Sequence, residues 1–355
     1  MKKKILSIFM AVLMLVLMLP VQALAAEEMV YLSISDDGKF VKSDMDDTMM
    51  AYVPVPISKL KEVSLEEYGL ERYKTDEDKD GVEDLTVLHL YLYAHEKYYG
   101  EGAGPLAEKA NGAYGSIFFT WFWGHDCNLN YYVNGEYPLM YDGWGATADT
   151  IVVNSGDFVD IMMFTSWNFY SDSGAGFHNF FKNDEIIHNI EAKSGEEVKF
   201  ELKRGYGNIN NGGSTEYVAA ENVAVYYSKT GLYADDAKTV ESSGGEVSIT
   251  FPSGGKWYVW MDGQLGFDAD PENIVSSPAY LEVMVESDTV LGDVDNNGSI
   301  NLLDVIQLRR FLLNSAKYSL ENEKAADVDN SGSINLLDVI CLRRYLLNSE
   351  KYPLG

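Results

Sequence analysis

Over most of its length the chain falls into short segments whose hydrophobic positions alternate with polar ones or run on continuously, the marks of half-buried and buried strands. MVYLSI (29–34) and MMAYVPV (49–55) read as early strands. SIFFTWFW (116–123), NYYVNGEYP (130–138), DTIVVN (149–154) and DFVDIMMF (157–164) follow. Asn134-Gly135 and Ser155-Gly156 are hairpin-type turn signals. Between the first and second groups the period changes. Leu85, Leu88, Tyr91, Leu92 and His95 recur at helical spacing, and Gly100 marks a stop. From Ile190 to Ser287 the pattern is again strand-like, in EVKFEL (197–202), NVAVYYS (222–228), GEVSITF (245–251), KWYVWMDG (256–263) and AYLEVMV (279–285). In KWYVWMDG the alternation puts Trp257 and Val259 on one face and Tyr258 and Trp260 on the other, with one pair expected in a core. After residue 290 the strands end and helical spacing takes over.

These blocks predict a multidomain chain: an α+β domain over 27–165, an all-β immunoglobulin-like sandwich over 166–290, and a small all-α unit over 291–355. The first 26 residues stand apart. Lys2, Lys3 and Lys4 precede an apolar run from Ile5 to Leu19, and Ala23-Leu24-Ala25 is a small-x-small cleavage pattern. This reads as a secretory signal peptide rather than a membrane anchor, because Pro20 and the Ala-rich end follow at once. The expectation is a secreted, extracellular protein with no membrane span after removal.

The charge agrees with that. Lys+Arg number 27 against 55 Asp+Glu, a net of −28, which disfavours nucleic acid and anionic membranes as partners and suits divalent cations. The two cysteines, Cys127 and Cys341, lie in different blocks and form no framework.

The chemistry concentrates in the last block. DVDNNGSINLLDVIQLRRFLLN (293–314) returns as DVDNSGSINLLDVICLRRYLLN (327–348). Oxygen-bearing side chains stand at loop positions 1, 3, 5, 7, 9 and 12: Asp293, Asp295, Asn297, Ser299, Asn301 and Asp304, then Asp327, Asp329, Ser331, Ser333, Asn335 and Asp338. Gly298 and Gly332 hold position 6, where a sharp bend lets a backbone carbonyl join the cage. Calcium takes six to eight such oxygens. Position 12 is Asp rather than the usual Glu, and a helix must start inside each loop and run through Leu302–Asn314 and Leu336–Asn348. No helical pattern precedes either loop, so each unit is half an EF-hand.

This arrangement closely resembles a type I dockerin domain, over about residues 291–355. The resemblance implies two bound Ca2+ ions and docking to a cohesin on a cellulosome-like scaffold or cell surface. It also implies the contact residues, at loop positions 10 and 11 and on the following helix: Leu302, Leu303, Arg309 and Arg310, and Leu336, Leu337, Arg343 and Arg344. Many dockerins carry a hydroxyl at position 10 or 11; leucine pairs here imply a more apolar cohesin surface. Two near-identical halves imply that either can face the partner.

A third acidic stretch, DEDKDGVED, places Asp76, Asp78, Asp80 and Asp84 around Gly81. It resembles the calcium loops of thrombospondin type 3 repeats, which would add a third Ca2+. With Val87 at position 12 it reads equally as a solvated acidic turn before a helix, where acids favour the N-terminus. His89 and His95 on that helix are six apart, unlike an i, i+4 zinc pair, and read as structural.

The order helix, YYVNGEYP, valine strand, Ser-Gly-Asp, strand resembles the β-grasp-like C-terminal domain of transcobalamin-type proteins over 48–165. GKWYVWMDG resembles the closing strands of bacterial surface sandwich modules. No G-x-S-x-G, H-E-x-x-H or P-loop is present. Aromatics cluster instead: Trp121, Trp123, Tyr131, Tyr132, Tyr137, Tyr141, Trp144 and Trp167. Exposed rings stack on sugars, and buried ones are core. Trp144 with Asp142 in YDGWGATAD, and His125 in WGHDCN, are the candidate ligand residues. The expected function is thus calcium-dependent docking that displays a non-catalytic glycan-binding or adhesion module. A polysaccharide-degrading enzyme with catalytic carboxylates in 27–287 is the competing reading.

Overall fold

The computed structural model describes residues 27–77, 79–100, 110–113, 115–139, 145–164, 176–207, 215–263, 276–286 and 290–355. Among these the chain is mostly β, and its two longest helices lie in the last segment.

The first unit contains β1 (Met29–Asp36), β2 (Lys39–Phe40), β3 (Val53–Pro56), α1 (Ile57–Leu60) and α2 (Val87–Ala94). Two short pairs follow, β4 (Ala110–Ala113) with β5 (Ser116–Phe119) and β6 (Trp121–Phe122) with β7 (His125–Asp126). Then come β8 (Asn128–Val133) and β9 (Phe158–Phe164). The main sheet runs β2-β1-β9-β8, with β3 also on β1. β1 and β9 are parallel, with Leu32 opposite Val159 and Ile34 opposite Ile161. A parallel pair needs a long crossover, and the helix and short strands between them supply it. Val30, Leu32, Ile34, Val159, Ile161 and Met163 bury in one core with Leu88, Leu90 and Tyr91 of α2. The helix starts where His89 Nδ1 accepts the Thr86 N–H at 3.1 Å, and the wide turn after it ends at Gly100, at φ 84°. His89 and His95 are both buried.

Three strand expectations need correction. DTIVVN is not a strand: 148–150 form a turn and Val152 makes an isolated bridge to Thr86. Asp149 draws the chain into that turn by accepting from Ile117 N and Thr147 Oγ1. Ile151 and Val153 are apolar because they bury against the start of α2, bonding to Val87 N and Leu85 O. SIFFTWFW breaks at Thr120 into β5 and β6, which belong to different pairs. Asn134 and Gly135 do turn the chain, at φ 52° and 74°, but the return is a single bridge, Val133 to Glu136.

The second unit has β10 (Gly176–Lys182), β11 (Glu185–Ile186), β12 (Asn189–Lys193), β13 (Glu197–Gly207), β14 (Thr215–Ala219), β15 (Ala224–Ser228), β16 (Lys238–Glu241), β17 (Glu246–Thr250), β18 (Gly255–Met261) and β19 (Ala279–Glu286). One sheet is β11-β10-β13-β14 with β17 on β13; the other is β12-β19-β18-β15-β16. Phe200, Leu202, Val247 and Ile249 of the first bury with Trp257, Val259, Leu281 and Val283 of the second.

Both faces of β18 are covered. Trp257 and Val259 point into that core. Trp260, on the opposite face, is 2% exposed and buries with Phe40 and Tyr52 of the first unit and with Tyr280. Beside it, Gly263 N–H donates to Gly38 O at 2.6 Å and Phe40 N–H to Tyr233 Oη at 3.0 Å.

Candidate calcium and docking site

α3 (Leu302–Leu313) and α4 (Leu336–Leu347) cross over a small core. Val294, Val305 and Leu308 meet Val328, Val339 and Leu342, each the counterpart of another 34 positions away.

Each helix is preceded by a loop that its own carboxylates fold. Asp293 accepts from Asn297 N at 3.1 Å and Gly298 N at 2.8 Å. Asp327 does the same with Ser331 N at 2.9 Å and Gly332 N at 2.7 Å. The bends need left-handed backbone at Asn296 and Gly298, φ 56° and 85°, and at Asn330 and Gly332, φ 52° and 82°. Asp295 accepts from Asn297 N, and Asp329 from Ser331 N. Asn297 Oδ1 accepts from Ser299 N at 2.9 Å.

The loop ends are also helix caps. Asn301 Oδ1 accepts from Leu303 N and Asp304 Oδ2 from Asn301 N, a reciprocal capping box. Asn335 and Asp338 repeat it. Asp304 and Asp338 are fully buried.

Oxygens of Asp293, Asp295 and Asp304 lie within 4.8 Å of one another, as do those of Asp327, Asp329 and Asp338. Two oxygens on one calcium at its usual bond length stand at most about 5 Å apart, so each trio fits one hard cation. In sequence, Asn297, Ser299 and Asn301, and Ser331, Ser333 and Asn335, fall between the carboxylates; Asn301 and Asn335 donate Nδ2–H to the carbonyls of Ser299 and Ser333. The crowding is visible in Asp295. Burial pushes its carboxyl up to about 6, and the charges of Asp304 and Asp293 add to the rise. A divalent cation relieves that repulsion.

Residues 291–347 match the family model of the dockerin type I domain. No curated protein and no solved structure matches the chain. Type I dockerin domains bind Ca2+, and the acidic clusters at 293–304 and 327–338 are consistent with that.

The dockerin's outward face is apolar and basic. Leu302 is 65% exposed and Leu303 57%; Leu336 and Leu337 match them at 65% and 56%. Arg309, Arg310, Arg343 and Arg344 are exposed one to two turns further on. Two features of this surface lie beyond the residues picked from sequence. Ile306 and Ile340, one turn past the leucines, are also exposed. Arg310 and Lys317 lie over the Tyr318 ring, as Arg344 and Lys351 do over Tyr352. The i+4 spacing from Leu302 and the shared Lys-Tyr of 317–318 and 351–352 were the available signals.

At the third acidic loop, Asp76 accepts from Asp80 N and Gly81 N, Asp80 from Val82 N and Asp84 from Glu77 N. Lys79 and Gly81 take φ 60° and 85°. Asp78 lies outside the described residues, and no metal-sized carboxylate trio occurs here among those described. Trp144 and Asp142 also lie outside them, as do Tyr141 and Trp167. His125 pairs with Asp36, Nε2 to Oδ2 at 3.4 Å, at the end of β1. Of the clustered aromatics, Tyr131, Tyr132 and Tyr137 are buried, and Trp121 and Trp123 pack against the first unit's core. Cys127 is buried, which pushes its thiol up to about 12; Cys341 is half-buried. No helix among the described residues is long and apolar enough to cross a membrane.

Proposed function

We propose that this is a secreted protein whose dockerin binds two Ca2+ ions and docks onto a cohesin of a cellulosome-like scaffold or cell surface. In this reading it displays a non-catalytic, ligand- or glycan-binding module there. The observation that carries the docking is the pairing of two carboxylate cages with two copies of one exposed Leu/Arg face. The metal ligands are Asp293, Asp295, Asn297, Ser299, Asn301 and Asp304 in one loop and Asp327, Asp329, Ser331, Ser333, Asn335 and Asp338 in the other. Leu302, Leu303, Arg309 and Arg310, with their counterparts Leu336, Leu337, Arg343 and Arg344, form the cohesin contacts.

Several finer readings have support of their own. The order β3-β1-β9-β8 with a parallel centre, and α2 in the crossover, supports a β-grasp-like front domain. Two sheets sharing one core support a sandwich after it. Asp76 accepting from the residues four and five ahead, with the same two left-handed positions, repeats the local geometry of Asp293 and Asp327 and supports a third Ca2+.

The test is binding of the full chain to a panel of cohesins, with calcium and with EDTA. Tight binding to one cohesin that EDTA abolishes is expected; no binding in calcium refutes the docking. Incubation with polysaccharides, scored for reducing ends, addresses the enzyme reading: release of reducing ends would replace the binding module by a hydrolase.

A further inference from the structure

Where the first unit meets the β12–β19 edge of the sandwich, an open cleft of about 400 Å³ is lined mainly by rings. That is within the size range of small-molecule sites. Its wall is a three-ring stack. Tyr31 lies on Phe158, centroids 4.6 Å apart and 13° from parallel. Phe158 lies on His188 at 3.5 Å and 8°. Tyr52 stands nearly perpendicular to both Phe158 and His188, with centroids 5.2 and 4.7 Å away. Its hydroxyl donates to the buried Asp160 at 3.2 Å, which fixes the ring. The wall is therefore formed before any ligand arrives. Burial holds the His188 imidazole down to about 4, so at neutral pH it is an uncharged flat ring.

The floor and rim come from the sandwich. β19 contributes Tyr280, Glu282 and the exposed Met284, and the start of β12 contributes Asn189 and Glu191, both exposed. Among the described residues no Lys or Arg lines the cleft. Glu282 is paired with Lys256 and accepts from Tyr280. Three ligand classes can be weighed against this lining. An anionic ligand meets two carboxylates, Glu191 and Glu282, the nearby cation Lys256 being already paired with Glu282, in a chain of net charge −28. An organic cation prefers ring faces on several sides, whereas here Phe158, at the centre of the wall, has both faces covered by Tyr31 and His188. A neutral pyranose suits the lining best: its flat C–H face stacks on an aromatic wall, and its hydroxyls donate to carboxylates and amides at the rim.

We propose that this cleft is a binding subsite for a neutral pyranose unit of a polysaccharide, with Tyr31 as the platform and Glu191 and Asn189 as hydroxyl acceptors. The proposal rests on the reading of the front of the chain as a glycan-binding module and gives that module a location.

The experiment is affinity electrophoresis of the full chain, in calcium, through gels holding soluble neutral β-glucan, xyloglucan or galactomannan. The variants are Tyr31→Ala and Glu191→Ala. Each should weaken retention about tenfold. Glu191 is an exposed rim residue, so its variant reads binding even if Tyr31→Ala fails to fold; thermal unfolding checks both. Retention unchanged in Glu191→Ala and in a folded Tyr31→Ala overturns the cleft and leaves the glycan reading standing. No retention of the unaltered chain on any polymer overturns both. Release of a retained chain by choline chloride, and not by free hexose, assigns the cleft to a cation and overturns the proposal.

Discussion

Asp304→Asn tests the coupling of metal, helix cap and fold at a single atom. Asp304 is fully buried, and its carboxylate accepts from Val294 N at 2.8 Å, Asp295 N at 3.1 Å and Asn301 N at 2.7 Å. Asparagine keeps one acceptor oxygen, so two of these bonds survive at reduced strength. The third becomes two donors facing each other, the N–H of Asn301 and the new amide. A hydrogen bond to a charged group contributes about 1.5–3 kcal/mol, so the loss without metal is about 2 kcal/mol. The variant also removes one carboxylate from the trio. If calcium then binds a hundredfold more weakly, about 2.7 kcal/mol of linkage is lost as well. The total, near 5 kcal/mol, rivals the whole stability expected of a segment this small, on the order of 3–10 kcal/mol. The assay is calcium titration by calorimetry on the full chain, with limited proteolysis of the last segment alongside. The variant should keep one tight site and expose 290–325 to cleavage at low calcium. Asp338→Asn should do the same at the other loop, because its carboxylate occupies the equivalent place. Two calcium sites of unchanged affinity in Asp304→Asn would refute the reasoning.

Three further outcomes are expected. Burial pushes the Asp160 carboxyl up to about 7, against hydrogen bonds from Ser33 and Tyr52; its unfolded value is near 3.9. The folded chain therefore holds a proton that the unfolded chain has released between about pH 4 and 7. Its contribution to stability is full below pH 4 and is lost as pH rises through 7. The gain in denaturant midpoint from Asp160→Asn should thus grow from pH 5 to pH 8, and a gain independent of pH would contradict this. Gly263→Ala would set a Cβ 1.8 Å from Ser276 O and 2.7 Å from Gly38 Cα. Because neither is a flexible side chain, stability should fall by about 3 kcal/mol, and an unchanged melting temperature would show that the junction yields easily. Against a cohesin bound in calcium, Leu302→Asp or Leu336→Asp alone should be tolerated, while the double variant loses binding; equal loss in either single variant would deny interchangeable halves.

Much of the C-terminal site was legible because its information is local. An oxygen-bearing side chain every second residue, a glycine at the bend and an asparagine at the helix start act over a dozen residues, and the chain states them twice. The same locality made the helix after residue 86 readable. DTIVVN misled because burial against a helix and burial within a sheet demand the same apolar residues, and only Asp149's side-chain bonds decide between them. The aromatic run left exposed and buried rings undistinguished: Tyr131 and Tyr132 are consecutive on β8, and strand alternation sends one ring to the first unit's core and the other against Phe177.

The sequence by itself determined the carboxylate cages, the capped helices that follow them, the duplication and the acidic charge. All of these arise from residues close together in the chain. Only the tertiary structure decided what covers the second face of β18, where Trp260 meets Phe40 and Tyr52 from more than two hundred positions away. It alone brought Tyr31, Phe158 and His188 into one stack. Alternation announces that a face is apolar, but the partner that buries it is chosen by the packing of whole sheets. No periodicity along a single strand carries that choice.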